Sequence, residues 1–405
     1  MSREKLIIME RGVGNLATRE EEYIINNLRD YKIIGRLTGG SSAELYIIEN
    51  LKNHNSYVIK ICAKEGVENG KKKLAGEIEY LKNTNISSRG FFAEVIDLYS
   101  KDDIVWYIMP YYQDKKTIYE LICEDIPVKN DIYIIFSDLF NNLFTQNLSE
   151  AMSDFVIKRH FDRVYARMKE CGMNDERFEK LIHQKTIIVN GRELYNYGYI
   201  MQKIRNDSSL MKKISPPIAS LTHDDLTIEN VMVGGDNYIL IDPRGTSDTG
   251  HYRDYIYDIA KFTNTLSGFT TVKYDQFVAW QEDNSITYKL NETVQKKYDA
   301  YYDYVFDCVK EFVERQFPED IYWRERLIFS EACHYLADIA CRMYNGDKYE
   351  KLIALYARGL ESINSFWNSY TQNNVVTIPE IEEAEYLNNT INNKCSLRIL
   401  IDHAG

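Results

Sequence analysis

The sequence predicts an α+β protein in two parts, with a β-rich stretch over about 31–112 and a mainly helical stretch over about 113–405. Residues 1–30 read as an N-terminal extension. Three observations carry this. Short β-rich runs separated by Gly, Asn and Ser fill the first part. Apolar residues recur at helical spacing after Tyr112. Inside the helical part, LTHDDLTIENVMVGGDNYILIDPRG (Leu221 to Gly245) gathers His, Asp, Glu and Asn around two short apolar runs.

The elements follow in order. TREEEYIINNLRD suggests a partly helical extension of no evident role. YKIIGRL, AELYIIEN and SYVIKICA are strands, and GKKKLAGEIEYLKNT is a helix with Leu74, Ile78 and Leu81 on one side. EVIDLYS and IVWYIMPYY return to strand character, so the order is strand, strand, strand, helix, strand, strand. TIYELICEDI, DIYIIFSDLFNNLFTQNL and a stretch around Asp154 to Glu170 are helical. KTIIVNGREL reads as a small hairpin turning at Asn190-Gly191, and Pro216-Pro217 marks a break. The last third is expected to be helical. Its apolar stripes run through Tyr298, Tyr301, Tyr302, Val305, Val309 and Phe312, then Leu327 to Met343, then Leu352 to Trp367. These stripes are core packing, and the acidic PEIEEAEYL is a solvated helix face.

Composition narrows the function classes. A hydrophobic share of 44% and a charged share of 27% are ordinary for a soluble globular chain. A net charge of -12 argues against a general nucleic-acid or anionic-membrane binder. No apolar run reaches the ~18–20 residues of a membrane span, and the start of the chain lacks the apolar core of a secretory signal. Seven Cys, with no CxxC pair, point to reduced thiols in the cytoplasm and to no zinc site.

The polar stretch has a definite order. His223-Asp224-Asp225-Leu226-Thr227-Ile228-Glu229-Asn230 is H-x-D-x-x-x-x-N, followed by VMV, a Gly-Gly-Asp-Asn turn, YILI and Asp242. A hairpin of this length returns Asp242 toward Asn230, so both side chains can meet at one metal ion. An Asp carboxylate and an Asn carbonyl are the hard oxygen donors that Mg²⁺ takes, as phosphoryl transfer from ATP requires. Asp225 can accept the proton of a hydroxyl acceptor, while His223 suits shaping the loop by hydrogen bonds. Upstream, Gly39, Gly40, Ser41 and Ser42 form a small-residue loop between strands that suits close approach to phosphates. Lys60 ends the run Tyr57-Val58-Ile59-Lys60. Glu77, on the following helix, can hold the Lys60 ammonium toward the phosphates. Glu79 is the alternative partner on another face of that helix.

This ordered set resembles the protein-kinase-like fold, and more closely its small-molecule branch of aminoglycoside phosphotransferases and choline kinases. The resemblance covers roughly residues 31–265. It implies a two-lobed protein with a β-rich, nucleotide-binding N-lobe over 31–112 and a mainly helical C-lobe over 113–405 carrying the catalytic loop and acceptor site. It implies Asp225 as catalytic base, Asn230 and Asp242 as Mg²⁺ ligands, and Lys60 with Glu77 as the phosphate-holding pair. Met109, Pro110, Tyr111 and Tyr112 would be the hinge that receives adenine. Asp258 in Tyr257-Asp258-Ile259-Ala260 would brace the loop, or else be an ordinary Asp at a helix start. The activity implied is transfer of the γ-phosphoryl group of ATP to a hydroxyl of a small metabolite such as a sugar or polysaccharide precursor.

Two departures bear on the acceptor. Asp224 stands where Gly is frequent, which signals either a different loop turn or an extra carboxylate near the metals. Pro243-Arg244-Gly245 follows Asp242. A guanidinium there favours an anionic or polyhydroxy acceptor over a polycation. His251, Arg253 and Asp254 are further candidates to line the acceptor pocket. A protein-directed kinase is disfavoured by the short link from Asp242 to Asp258, which leaves no peptide-docking segment. A nucleotide-binding pseudokinase or scaffold is disfavoured by the presence of Lys60, Asp225, Asn230 and Asp242.

Overall fold

The computed structural model describes residues 18–37, 43–63, 70–87, 91–101, 103–145, 148–235, 237–244 and 252–373. The Gly39, Gly40, Ser41 and Ser42 loop, Gly245, His251 and the acidic PEIEEAEYL lie outside them. The chain forms two compact units, Met1–Ser149 with Ser220–Arg253, and Glu150–Ala219 with Asp254–Gly405. The boundary placed at residue 112 from sequence falls inside the first unit.

The first unit opens with helix α1 (Arg19–Asn27). A capping box starts it: Thr18 Oγ1 accepts from the Glu21 amide, and Glu21 accepts from the Thr18 amide. Five strands follow, β1 (Tyr31–Leu37), β2 (Glu44–Asn50), β3 (Ser56–Cys62), β4 (Asp97–Lys101) and β5 (Ile104–Pro110). They form one antiparallel sheet in the order β1-β2-β3-β5-β4. Helix α2 (Gly70–Ser87) lies between β3 and β4 in sequence, so the expected order of elements is the order observed.

The twofold period of a strand sorts this sheet into two faces. Tyr46, Ile48, Ile59, Ile61, Ile104, Trp106 and Ile108 build a core with Ile24 of α1. That core gives the N-terminal extension a role which the sequence left open. Glu20 Oε1 accepts from the Ala63 amide at 3.1 Å, and Arg19 donates to the Ala63 carbonyl at 3.3 Å, so α1 also clasps the end of β3. The alternate positions, Lys60 and Tyr107 among them, point the other way, and those two are direct cross-strand partners.

The rest of the first unit holds the polar stretch. Strands Val231–Gly234 and Asn237–Leu240 make the expected hairpin, and Lys116–Thr117 pairs on its outer side. The chain before β4 runs beside it, with the Leu240 amide donating to the Phe91 carbonyl at 2.7 Å. Ser220 and Leu221 pair antiparallel with Arg253 and Tyr252.

The second unit is mainly helical, with long helices Glu292–Gln316, Trp323–Tyr344 and Tyr349–Asn373 along the expected stripes. Its core includes Leu327's neighbours Phe329, Ala332, Leu336 and Ile339 packed with Leu352, Leu355, Leu360 and Ile363. One expectation fails here. Strands Phe277–Glu282 and Ser285–Leu290 interrupt the helices and join the Thr186–Val189 and Arg192–Tyr195 hairpin in a four-stranded sheet. The signal was present: FVAWQE alternates between half-buried and exposed residues, and Asp283 turns the chain at φ 49°. The class is nonetheless α+β, as the sequence predicts.

Candidate active site

Lys60 sits near the end of β3, where the strand's alternation aims it away from the Ile59 and Ile61 core. Glu77 reaches it from α2, with Lys60 Nζ at 2.9 and 2.8 Å from the two Glu77 carboxylate oxygens. Glu77 is buried and Glu79 is exposed, so the helix phase selects the first of the two alternatives. Sequence reasoning missed Tyr107. It lies across from Lys60 on β5 and donates to Glu77 Oε1 at 2.7 Å. A carboxylate that accepts from both Lys60 and Tyr107 has its orientation fixed.

The second partner of Lys60 comes from 182 residues along the chain. Lys60 Nζ lies 2.8 Å from Asp242 Oδ1. Lys60 is 2% exposed, and burial works to lower its pKa. The adjacent Asp242 and Glu77 carboxylates outweigh burial and hold the ammonium above its ordinary value. A lone lysine here would be expelled or neutralised, so the pair of carboxylates is what makes the charge tolerable.

The loop before the hairpin is built around His223. Its Nε2–H donates to the Ile241 carbonyl at 2.9 Å, and its Nδ1 accepts from the Asp225 amide at 3.2 Å. That pattern needs a neutral imidazole, and burial lowers the His223 pKa against the pull of Asp225. The ring stacks on Phe92. His223 is therefore a framework group joining the loop to the strand that delivers Asp242. Asn230 Nδ2 donates to the Asp225 carbonyl at 2.9 Å, and the Ile241 amide donates to the Asn230 carbonyl at 3.0 Å. Tyr80, one turn after Glu77 on α2, donates to the Thr222 carbonyl at 2.6 Å, tying the Lys60 partner's helix to the loop. Asp224 and Asp242 hold φ values of 65° and 57°, a region uncommon for a residue with a side chain and characteristic of constrained sites.

Other candidates fall elsewhere. Asp224 turns its carboxylate to Arg253 Nη1 at 2.6 Å, with both side chains 1% exposed. Arg253, expected to line an acceptor pocket, is instead buried in that ion pair, because a buried guanidinium needs a carboxylate. Arg244 Nε lies 3.5 Å from Asp225 Oδ2, and both side chains are partly exposed. Met109 is buried and Tyr111 half-buried at the end of β5. In the second unit Asp254 caps the helix Tyr255–Asn264 and pairs with Arg326. Asp258 is buried in the first turn of that helix.

No cluster of three or more His, Cys, Asp or Glu able to hold a metal ion is present among the described residues. Mg²⁺ does not require one, since it commonly takes one or two protein oxygens and fills its remaining positions with water and phosphate. Asn230 spends its amide nitrogen on Asp225, which turns its carbonyl oxygen the other way, and Asp242 is partly exposed. The donor set fits a hard cation of that kind.

The topology is protein-kinase-like: a five-stranded antiparallel sheet, a helix between its third and fourth strands, the lysine on one and the glutamate on the other. No family model and no curated protein matches the chain. One solved structure it is similar to is described as "Putative fructosamine-3-kinase" from Haemophilus somnus 129PT. The identity is 12% over 83% of this chain and 90% of that one, with a TM-score of 0.46. No helix among the described residues is long and apolar enough to cross a membrane.

Proposed function

We propose that the protein is an ATP-dependent phosphotransferase that moves the γ-phosphoryl group to a hydroxyl of a small metabolite. The observation that supports this most is the meeting of Lys60 with both Glu77 and Asp242, at 2.8 Å each. A strand, the helix that follows it and a segment 182 residues beyond Lys60 converge there, at the cost of burying charge. A structural ion pair needs two partners; a lysine shared by two carboxylates, one of them partly exposed, suits a group that exchanges one partner for phosphate.

In this reading residues 31–112 hold the nucleotide, with Met109 and Tyr111 at the adenine and the Gly39, Gly40, Ser41 and Ser42 loop over the phosphates. Lys60, kept in place by Glu77, grips phosphate oxygens. Asn230 and Asp242 would hold Mg²⁺, which supplies charge neutralisation along the phosphates. Asp225 accepts the proton of the acceptor hydroxyl as its oxygen bonds to phosphorus and the bond to the leaving ADP oxygen breaks. His223 holds Asp225 by its amide. Residues 113–405 carry the catalytic loop and the acceptor site. The reaction needs no membrane or nucleic-acid partner, and its place is the cytoplasm.

Incubating the full-length chain with MgATP and a library of hydroxylated metabolites tests this. Mg²⁺-dependent transfer of labelled phosphate to a library member, above slow release to water, is the expected result. Nucleotide binding with no transfer to any acceptor would mark a binding protein, and no nucleotide binding would end the reading.

A further inference from the structure

We infer that Arg244 determines specificity by taking an anionic group, a carboxylate or a phosphate, that the acceptor carries close to its reacting hydroxyl. This rests on Asp225 being the base of the proposed reaction.

The charge pairs around the loop divide into two kinds. Asp224 with Arg253, and Lys60 with Glu77, are almost completely buried, and they hold the framework. Arg244 with Asp225 differs. The side chains are 28% and 25% exposed, and Nε stands 3.5 Å from Oδ2, at the outer limit of hydrogen bonding. Parts of both side chains reach solvent, while Nε itself is buried and makes no hydrogen bond at this distance, so the contact is loose, and it sits on the carboxylate that the acceptor must approach.

Its placement is not left to a flexible loop. The Arg244 amide donates to the His223 carbonyl at 3.0 Å, and the same His223 ring accepts from the Asp225 amide. The buried Pro243, with its fixed φ, precedes it. The backbone positions that carry the guanidinium and the base are thus both tied to one histidine.

Chemistry then selects the acceptor. A hydroxyl that donates to Asp225 lies about 2.7 Å from that carboxylate. A substituent one or two carbons away falls within reach of a guanidinium beside the same carboxylate. The planar fork of an arginine grips carboxylate or phosphate by two parallel charge-assisted bonds, a geometry a single neutral hydroxyl does not match. It also offsets the repulsion that an anionic acceptor meets beside a triphosphate. A cationic acceptor would face like charge at this point. The acceptor class is therefore a hydroxy acid or a polyol phosphate.

The test compares three probes on one carbon skeleton: D-glycerate, glycerol 3-phosphate and glycerol. The full-length chain labelled with ¹⁵N-arginine is titrated with each, with MgADP present. The Arg244 Nε–H resonance is assigned by its absence from the spectrum of Arg244→Gln. A saturable shift with D-glycerate or glycerol 3-phosphate and none with glycerol is expected, and which anion saturates first tells carboxylate from phosphate. Arg244→Gln should weaken binding of that anion roughly tenfold or more and change MgADP affinity by less than about twofold. An equal shift with glycerol, or no saturable shift with either anion up to roughly 20 mM, overturns the inference. So does a variant that loses MgADP and keeps the anion, since the arginine would then serve the donor. Anion binding without any MgADP binding would instead sink the kinase reading and leave the anion site standing.

Discussion

Single residues at this site are held by partners that fix their charge and direction, and this decides what their removal should do. Asp225 contacts the framework through its backbone, to His223 and Asn230, so its side chain can be changed without unfastening the loop. Asp225→Asn should lower kcat by about 10²–10⁴ and leave MgATP binding nearly intact; a normal rate in that variant would remove Asp225 from the chemistry. Asp242 is different, because its side chain itself holds Lys60. Asp242→Ala should abolish the Mg²⁺ dependence of nucleotide affinity, read by titration with and without the metal. An unchanged MgATP titration would exclude it from the metal set. Lys60 keeps Glu77 in that variant, so the fold should survive.

At the scale of elements, the hairpin after the loop sets the separation of Asn230 from Asp242. Its turn is pressed against the chain before Lys116–Thr117. A Cβ on Gly234 would stand 2.4 Å from the Asp114 carbonyl oxygen and 3.0 Å from Lys115 Cα, both backbone atoms that cannot swing aside. Lys115 Nζ also donates to the Gly234 carbonyl at 2.7 Å and closes the turn from outside. Gly234→Ala should therefore cost about 1–3 kcal/mol by overpacking and weaken Mg²⁺-dependent nucleotide binding with it. Gly235 is the control. It holds φ at 59° with nothing near its missing Cβ, a conformation that Asn tolerates. Gly235→Asn should stay within about 1 kcal/mol of the parent by denaturant titration. Equal losses from both changes would show that the close approach to Asp114 is not what constrains the hairpin.

For the molecule as a whole, buried imidazoles set an acid limit. His160 is packed among Phe155, Tyr257 and Phe329, and burial, with Arg159 and Arg163 nearby, pushes its pKa down to about 3. His334 is lowered by burial as well. The unfolded chain binds these protons at the ordinary value, so stability is complete above that value and falls as pH drops toward the folded one. His160 alone accounts for a loss on the order of 2 kcal/mol between pH 7 and pH 5. Urea titrations across that range should show the fall, and His160→Phe should reduce its slope while His334 and His223, both lowered by burial, sustain a remainder. An unchanged slope would place the acid sensitivity elsewhere. Much of the molecule could be read before folding was considered. Period-two strands and period-3.6 helices are local, so the first five strands, α2 and the H-x-D-x-x-x-x-N stretch with its hairpin were all visible in residue order. The strands at Phe277–Glu282 and Ser285–Leu290 were visible too, in the alternation of FVAWQE, but were masked by the helical stripes on either side. What no local pattern carries is the choice of partner. That Tyr107 steadies Glu77, that Asp224 is spent on Arg253 while Arg244 faces Asp225, and that α1 clasps β3 were decided by tertiary structure. Burial made each choice: a charge removed from water must find an opposite charge nearby, and only the folded chain determines which one is within reach.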